Sequence, residues 1–293
     1  MSKITDIFSS ASARDASKPA SSNTGLVVFR SDTKAIEVSD GTSYYGYNND
    51  GISVDGVTNV FSGSFDGTDD YIEVGNITNL NSGTNFTISV WFKRPLARQD
   101  MLLGGAGPIA TAIGMYPWSD GNFYVHLGTN GLLNATLPGE NQWINATVTY
   151  DSSGSSILYF NGALAATVSS SAVSSTAGNT FRIGNFTADS GGRDFLGNID
   201  EVSIWDSTTL DADNVEQIYN FGSPINLASN SGNYTQSSNL THWYRLGDNA
   251  SDTGSGGVSN GNTITNIENA ANPGTNDGST INGDPVFSTS VPS

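Results

Sequence analysis

The sequence predicts an all-β protein: a two-sheet antiparallel sandwich with one short helix near residues 211–221 and a small N-terminal β-meander. Composition is the first reason, because Gly accounts for 34 of the 293 residues and charged residues for only 13%, which suits short strands joined by many turns. The second is the recurrence of short alternating apolar and polar patterns at roughly 8 to 12 residue spacing, which is typical of sandwiches. The third is the alternation in FTISVWF, where Phe86, Ile88 and Phe92 share one face.

The charge balance disfavours two classes of partner. The formal net charge is −17 and the sequence pI is about 4.1. No cluster of Lys and Arg is present to neutralise phosphate groups, so we expect no binding to nucleic acid or to a membrane. The acidity has two interpretations: it keeps the protein soluble, or some carboxylates bind divalent cations. The chain also has no Cys, which removes disulfides and thiolate chemistry.

The first 50 residues are predicted to form an arm and a β-meander separate from the sandwich at 51–293. Residues 1–23 show little hydrophobic periodicity and no apolar core of signal-peptide length, so we expect an extended arm and synthesis in a cytoplasm. Three short strands are predicted at Leu26–Phe29, Ala35–Val38 and Tyr44–Tyr47. A meander this small cannot bury enough surface to be stable alone. We therefore expect it to pack against copies of itself or against another protein.

This segment resembles a short β-module of bacteriophage fibre and virion structural proteins. The resemblance runs through Gly25, Leu26, Asp32, Thr33, Ile36, Glu37, Val38, Asp40, Gly41 and Tyr45. It implies that residues 1–50 attach the chain to other virion proteins of the capsid or tail and that the chain forms a homotrimer. It also implies that the protein is located in the virion after synthesis in the host cytoplasm.

The sandwich elements follow in order after residue 51. The turn-rich FDGTDD stretch leads into the strand YIEV, and FTISVWF gives the strongest strand pattern. Ile157–Phe160 and Ala163–Val168 flank Asn161-Gly162, which predicts a hairpin because Asn-Gly readily adopts the positive φ angles of a type I′ turn. Further strands are predicted at Met101–Leu103, Ala110–Met115, Phe123–Leu127, Trp143–Tyr150, Phe181–Phe186, Asn198–Trp205 and Leu240–Leu246.

One helix is predicted in TLDADNVEQIYNFGSP. Asp211 is placed to cap its N-terminus, and Val215, Ile218 and Tyr219 form an apolar stripe. Gly222 and the Pro that follows it two residues later are expected to end the helix. A helix this short is expected to pack on the edge or end of a sheet.

Taken together, the motifs FDGTDDYIEV, FTISVWFK, NFYVHLG, LYFNGALAATV, FRIGNF and GNIDEVSIWD resemble the laminin-G-like family of the concanavalin A-type jelly roll. The resemblance spans about residues 57–226, and the motifs occur in the order of the family. In many members a segment like LTHWYRLGD precedes the FDG motif, whereas here it begins at Leu240, after the helix. The resemblance therefore implies that 238–293 is a circularly permuted segment, with the strand around Trp243 lying beside the FDG strand.

The residues argue against an enzyme. This fold hosts glucanases and lyases, and its retaining glucanases are similar in carrying Glu-x-Asp-x-x-Glu along one strand, which projects two carboxylates from the same face. That motif is absent here. The clusters Asp69-Asp70 and Asp200-Glu201 are adjacent pairs, whose side chains point to opposite faces of a strand.

Calcium is the one cofactor that the resemblance implies. The family often holds Ca²⁺ near the FDG and IDE motifs, and the matching positions here are Asp66 and Asp200. Both residues would supply the carboxylate oxygens that Ca²⁺ prefers. The alternative is that both cap turns by accepting hydrogen bonds from backbone amides.

A glycan site is predicted on loops that carry aromatic and polar side chains. Tyr116, Trp118, Arg193 and Asp194 have suitable side chains, because a flat ring stacks on the apolar face of a sugar while charged groups bind its hydroxyls. Trp118 follows a Pro, so it is equally suited to anchor a loop against the sandwich. The other tryptophans lie in strand patterns and are predicted to be packing residues: Trp91, Trp143, Trp205 and Trp243.

The functional hypothesis is a phage virion structural protein displayed on the particle surface, in capsid decoration, a fibre or the tail, that mediates attachment or weak binding to host-surface polysaccharide. The alternative is a carbohydrate-binding receptor-binding or tail-fibre protein. A glycan-active hydrolase or lyase is the third hypothesis.

Overall fold

The computed structural model describes residues 57–75, 77, 80, 84–105, 113–128, 132–169, 181–185, 193–249, 252, 264, 266–267 and 286–292, and the backbone of six further strand segments between residues 6 and 276. The chain divides into two units, one comprising 1–59, 223–226 and 293, the other 60–222 and 227–292. The strands are β1 Asp6–Phe8, β2 Val27–Arg30, β3 Ala35–Ser39, β4 Tyr44–Tyr47, β5 Ser62–Asp66, β6 Ile72–Gly75, β7 Phe86–Lys93, β8 Leu103–Gly105, β9 Ile113–Pro117, β10 Asn122–Leu127, β11 Leu132–Thr136, β12 Ile144–Tyr150, β13 Ser155–Phe160, β14 Ala163–Ser169, β15 Phe181–Ile183, β16 Leu196–Asp206, β17 His242–Tyr244, β18 Thr263–Ile264, β19 Gly274–Asn276 and β20 Val286–Ser288.

The smaller unit carries a four-stranded sheet in the order β1-β2-β3-β4. β2, β3 and β4 form an antiparallel meander at the three positions where short strands are predicted. The stretch predicted as an extended arm contributes β1, which pairs parallel with β2 so that Asp6 lies opposite Val28.

The larger unit is the sandwich of two antiparallel sheets that the alternating patterns predict. The first sheet has the order β11-β10-β9-β8-β15-β6-β19-β18, and the second has the order β14-β13-β12-β7-β16-β5-β20 with β17 paired to β16. The core lies between them. In β7, Phe86, Ile88 and Phe92 are fully buried and face it, opposite residues of the first sheet such as Phe123, whose ring stacks on Phe92 at 5.5 Å.

The far face of β7 is also buried, because the second sheet is covered on its outer side. Trp91 stacks on Tyr219 of the helix α1, Ala212–Tyr219, with ring centroids 5.6 Å apart. The polar side chains on this face of the sheet pair with one another: Asn145 and Thr147 both donate to the Ser89 hydroxyl, at 3.0 and 2.8 Å. The polar residues in these strands are therefore buried in an internal hydrogen-bond network.

The local signals for the hairpin and the helix start are confirmed. Asn161 and Gly162 have φ angles of 52° and 75°, as a type I′ turn requires. Asp211 caps α1 by accepting a 2.9 Å hydrogen bond from the Asn214 amide. The helix ends earlier than predicted, since Asn220 rather than Gly222 adopts the left-handed C-cap conformation, with φ 43°. Within the described part of the chain, no helix has the length and hydropathy to cross a bilayer.

The C-terminal segment contributes to both sheets of the sandwich. β20 pairs with β5, placing Phe287 opposite Gly63, and β19 pairs with β6 of the other sheet. The strand around Trp243 is not beside the FDG strand as expected: β17 pairs with β16, with Trp243 opposite Ser203. The reason is that β5 pairs with residues 196–199 of β16 and β17 pairs with residues 202–204, so the two strands share one edge of that long strand.

Candidate functional site

The outer face of the first sheet carries an aromatic cluster, defined by Tyr116, Trp118, Tyr124, His126 and Arg193. Successive side chains of β9 and β10 point to opposite faces of the sheet. The apolar residues between these rings therefore point into the core, and Tyr116, Tyr124 and His126 point to the outer face. Tyr116 and Tyr124 lie directly opposite each other in the register of the two strands. Neighbouring strands therefore form a continuous aromatic surface.

Tyr116 is the centre of this cluster. Its ring stacks on Tyr124 and on His126, each with centroids 5.6 Å apart, and meets Trp118 edge to face at 5.5 Å. Burial, with a smaller effect of the neighbouring Tyr124, raises the pKa of Tyr116 to about 12. Trp118, Tyr124 and His126 are half-buried around it. The guanidinium carbon of Arg193 lies 5.1 Å from the Trp118 ring centroid, within reach for a cation–π contact.

The backbone of Trp118 is held from two sides while its ring stays half-exposed. Its amide donates to the Asn122 carbonyl at 2.8 Å, closing the turn between β9 and β10. Its carbonyl accepts from the Arg94 guanidinium at 3.3 Å, and Arg94 is itself 1% exposed and paired with Glu140 at 2.7 Å. A ring carried on so constrained a backbone is preorganised for contact with a ligand.

Asp120 adds a charged acceptor beside the cluster. Its carboxylate accepts from the Tyr124 hydroxyl at 2.6 Å and from the Asn122 amide at 2.8 Å. These hydrogen bonds to the ionised form, the one from Tyr124 foremost, lower the pKa of Asp120. The carboxylate is therefore ionised at neutral pH and fixes the orientation of the tyrosine.

An acidic turn, defined by Asp66, Asp69 and Asp70, follows β5. One oxygen from each carboxylate lies within 4.8 Å of the others. Asp66 accepts from the Thr68 amide at 2.8 Å, and Asp70 accepts from the Asp66 amide at 2.7 Å. Burial and then the nearby charges of Asp69 and Asp66 raise the pKa of Asp194, so this carboxylate faces the same concentration of negative charge.

The structure does not bring Asp66 and Asp200 together. Asp66 pairs with Leu196, and Asp200 lies four residues further along the same strand, about 13 Å away at the usual strand rise. Asp200 is fully buried and accepts from the Glu201 amide at 2.8 Å. The carboxylates that do gather around Asp66 are those of Asp69 and Asp70, and the spacing of FDGTDD, with all three in one tight turn, is the sequence signal for them.

Arg98 joins the acidic turn to Asp194, the residue that follows Arg193 of the aromatic cluster. Its guanidinium donates to the carbonyls of Gly67 and Asp194, both at 3.3 Å, and pairs with Asp100 at 2.7 Å. Asp100 is fully buried, and burial raises its pKa to about 7 against the opposing effect of Arg98.

Arg193 and Asp194 are consecutive, so one faces Trp118 and the other faces the acidic turn. The four residues predicted for a glycan site thus lie in one part of the fold. Sequence reasoning missed Tyr124 and His126, although NFYVHL carries the alternation that places both on the outer face.

Residues 66–216 match the family model of the concanavalin A-like lectin/glucanases superfamily. The chain belongs to this superfamily. Among solved structures, a candidate carbohydrate-binding protein from Bacteroides ovatus is similar with a TM-score of 0.58 and 18% identity, over 92% of this chain and 71% of that one. A heptameric SAP-like pentraxin from Limulus polyphemus (TM-score 0.43, 16% identity, 55% and 82% covered) and domains LG4-5 of the mouse laminin alpha1 chain (0.38, 18%, 54% and 44%) are also similar. At these identities the likenesses concern the fold alone. No curated protein matches the sequence.

This concanavalin A-like chain also contains a closed network, defined by Glu201, Trp243, Arg245 and Asp248. Glu201 accepts from the Trp243 indole at 2.5 Å and from Arg245 at 2.8 Å. Arg245 lies 5.4 Å from the Trp243 ring centroid and 3.4 Å from Asp248. Asp248 in turn accepts from the amides preceding β5, at 3.0 to 3.1 Å. The DE and WYRLGD motifs therefore join the C-terminal segment to the sandwich.

Proposed function

We propose that the chain binds carbohydrate and that the aromatic cluster is its saccharide-contacting surface. The observation that carries this proposal is the half-exposed Trp118 ring, held on a constrained backbone with the Arg193 guanidinium over it. A sugar places its C–H face on the indole, while the guanidinium and the Asp120 carboxylate supply a donor and an acceptor for its hydroxyls. Sites of this kind use a few fixed polar groups around an apolar platform.

Membership of a superfamily of lectins and glucanases supports the proposal, as does the similarity of fold to the candidate carbohydrate-binding protein of Bacteroides ovatus. We assign binding rather than hydrolysis or elimination, because the IDE carboxylates are enclosed. Asp200 is fully buried, and Glu201 is 3% exposed with both oxygens engaged by Trp243 and Arg245. Reducing-sugar release from any polysaccharide bound by the protein would contradict this assignment.

The test of the proposed function is a glycan array followed by calorimetry on the hits, comparing the wild-type chain with Trp118→Ala. We expect the variant to lose about tenfold or more in affinity, equivalent to ~1.4 kcal/mol. Trp143→Ala is the matched control, since Trp143 is also half-buried but lies outside the cluster. Equal affinities of the two variants would place the site elsewhere, and an array without hits would refute carbohydrate binding.

We further propose that the protein is displayed on a phage particle. The support for this is the resemblance of residues 25–45 to phage fibre modules, which also suggests trimerisation and attachment to other virion proteins through residues 1–50. Immunogold labelling of purified particles tests the location. Absence of the protein from particles would refute the virion role and leave the carbohydrate-binding proposal standing.

Calcium is proposed as the ion of the acidic turn. The residues fit it, because Asp66, Asp69 and Asp70 supply hard oxygen ligands within 4.8 Å of one another. The ion would supply positive charge that screens Asp194 from the turn. Terbium luminescence with competition by Ca²⁺ tests this: Asp69→Asn should weaken binding at least tenfold, while Asp213→Asn, which makes the same charge change on α1, should not. Equal weakening by both substitutions would show a general charge effect.

A further inference from the structure

A cleft lies beside the second sheet, whereas the aromatic cluster lies on the first. The cleft has a volume of about 290 Å³ between the Asn161-Gly162 turn and the C-terminal end of α1, and it is lined by Asn161, Gly162, Ala163, Glu216, Tyr219 and Phe221. This volume is close to the lower end of the range for small-ligand sites. It suits a single side chain or a small organic group.

The walls of the cleft are held firmly. Asn161 exchanges two 2.9 Å hydrogen bonds with Asn145, through its amide and through its side-chain oxygen. Tyr219 is fixed by stacking on the buried Trp91. Gly162 allows the turn to approach the helix, since a Cβ there would lie 3.2 Å from the Glu216 Cα.

Phe221 has an unusual conformation for an aromatic residue. Its φ of 56° lies in the left-handed region, where residues with a Cβ are uncommon and are disfavoured by about 1 kcal/mol or more. The side chain is nevertheless 77% exposed, so burial within the sandwich does not offset the strain. Retained strain beside a cleft is an indication of a functional contact.

The charge of the cleft is negative. Glu216 lies on its wall, Asp211 and Asp213 lie at the other end of the same helix, and the last turn of α1 has no basic residue. Glu216 has no ion-pair partner among the residues that the structure describes. A carboxylate beside two aromatic rings is a combination that attracts an organic cation, through the ion pair and through cation–π contact.

We infer that this cleft binds the protonated amine or guanidinium of a lysine or arginine side chain carried by a partner protein. Glu216 pairs with the cationic head, the Asn161-Gly162 turn forms the opposite wall, and Tyr219 and Phe221 cover the alkyl stem. This site is independent of the saccharide surface, because it is built on β13, β14 and α1 of the second sheet.

The experiment is an NMR titration of the full chain, following the backbone amides of Gly162 and Ala163. The probes are the capped peptide Gly-Lys-Gly, its norleucine analogue Gly-Nle-Gly, and methyl β-glucoside. We expect the lysine peptide to shift both amides and the norleucine peptide to bind at least tenfold more weakly. Glu216→Gln should weaken the lysine peptide about fivefold or more, whereas Asp213→Asn, with the same charge change on the same helix, should not.

Phe221→Gly separates binding from folding. It should reduce lysine-peptide binding severalfold while leaving the thermal midpoint unchanged or higher, because glycine relieves the left-handed strain. Equal binding of the lysine and norleucine peptides would show that the cleft selects apolar groups and overturn the proposal. Binding of the glucoside alone, or the absence of shifts with every probe, would overturn it equally.

Discussion

Two places in the sandwich set an arginine over a tryptophan ring, at nearly the same distance, and they have opposite characters. Arg245 lies 5.4 Å from the Trp243 ring and Arg193 lies 5.1 Å from the Trp118 ring. In the closed network, Trp243 is 2% exposed and its indole nitrogen donates to Glu201. In the aromatic cluster, Trp118 is half-buried, and hydrogen bonds hold its backbone while the ring is free of such anchoring.

The two sites show that the same pair of residue types occupies opposite environments in this fold. The residue types are the same, and the pairing of Arg with Trp is the same. Burial and the satisfaction of hydrogen bonds differ. Where both are complete, in the closed network, they stabilise the attachment of the C-terminal segment. Trp118 is only half-buried on its fixed backbone, so part of the aromatic cluster stays accessible to solvent.

The largest expected effect comes from Arg245→Met. Without the arginine, the carboxylate of Glu201 loses its ion-pair partner while its side chain is only 2% exposed. Breaking a buried pair in this way costs about 3–5 kcal/mol. Urea unfolding should show that loss in the free energy of unfolding. The matched variant Arg193→Met should cost less than ~1 kcal/mol. Equal losses would mean that the aromatic cluster is as structural as the closed network.

The next largest effect concerns the buried carboxylate of Asp100, which pairs with Arg98. Burial raises the pKa of Asp100 from 3.8 to about 7, so the folded state binds the proton more tightly than the unfolded state does. The stability contributed by the protonated form is present at low pH and is lost as pH rises from about 4 through about 7. Asn at position 100 mimics the protonated carboxyl. In Asp100→Asn the free energy of unfolding should therefore decrease between pH 5 and pH 8 by at least ~1 kcal/mol less than it does in the wild-type chain.

The control for this effect is Asp213→Asn, an exposed residue of α1. Its pH profile should follow that of the wild-type chain. If Asp100→Asn and wild type had parallel profiles, Asp100 would be ionised throughout, and its pairing with Arg98 would outweigh its burial.

Much of the sandwich is predictable because it depends on local periodicity. Alternation in FTISVWF places β7 correctly, and Asn161-Gly162 specifies the hairpin through its φ angles. The pairing of β17 is not predictable in this way. Along one edge of β16 the pairing with β5 ends at Ile199 and the pairing with β17 begins at Val202, on either side of Glu201, whose φ is 49°. No local periodicity specifies that division.

The same distinction applies to the candidate sites. Tyr116, Trp118, Arg193 and Asp194 are identifiable by type, because aromatic and charged residues in loop-like sequence are typical of binding surfaces. Asp66 and Asp200, the two positions named for calcium, lie apart, because family motifs give residue positions without the strand register between them. Register places Asp66 opposite Leu196, so its neighbours come from its own turn.

A moderate effect is expected for Arg193→Met in carbohydrate binding. Loss of the guanidinium removes the cation from the Trp118 face and one hydrogen-bond donor for a sugar hydroxyl, so affinity should fall about threefold to tenfold, or ~0.7–1.4 kcal/mol. Calorimetry with the best glycan of the array measures it. Arg245→Met, studied where it remains folded, should bind as the wild type does. A larger loss for Arg245→Met would show that the closed network acts on the saccharide surface.

The smallest effect compares the two histidines, one in each region. Burial lowers the pKa of both His126 and His242, so each is held neutral in the folded state, and the stability this contributes is present above pH 6.5 and is lost as pH falls below it. Substitution of either histidine by Gln should reduce the free energy of unfolding that is lost below pH 6.5 by ~0.5 kcal/mol. Of the two, His126 stacks on Tyr116, so we expect its protonation to lower glycan affinity between pH 7 and pH 5. His126→Gln should remove that pH dependence, and His242→Gln should leave it unchanged. Loss of that pH dependence in His242→Gln instead would reverse the assignment of which region contacts the sugar.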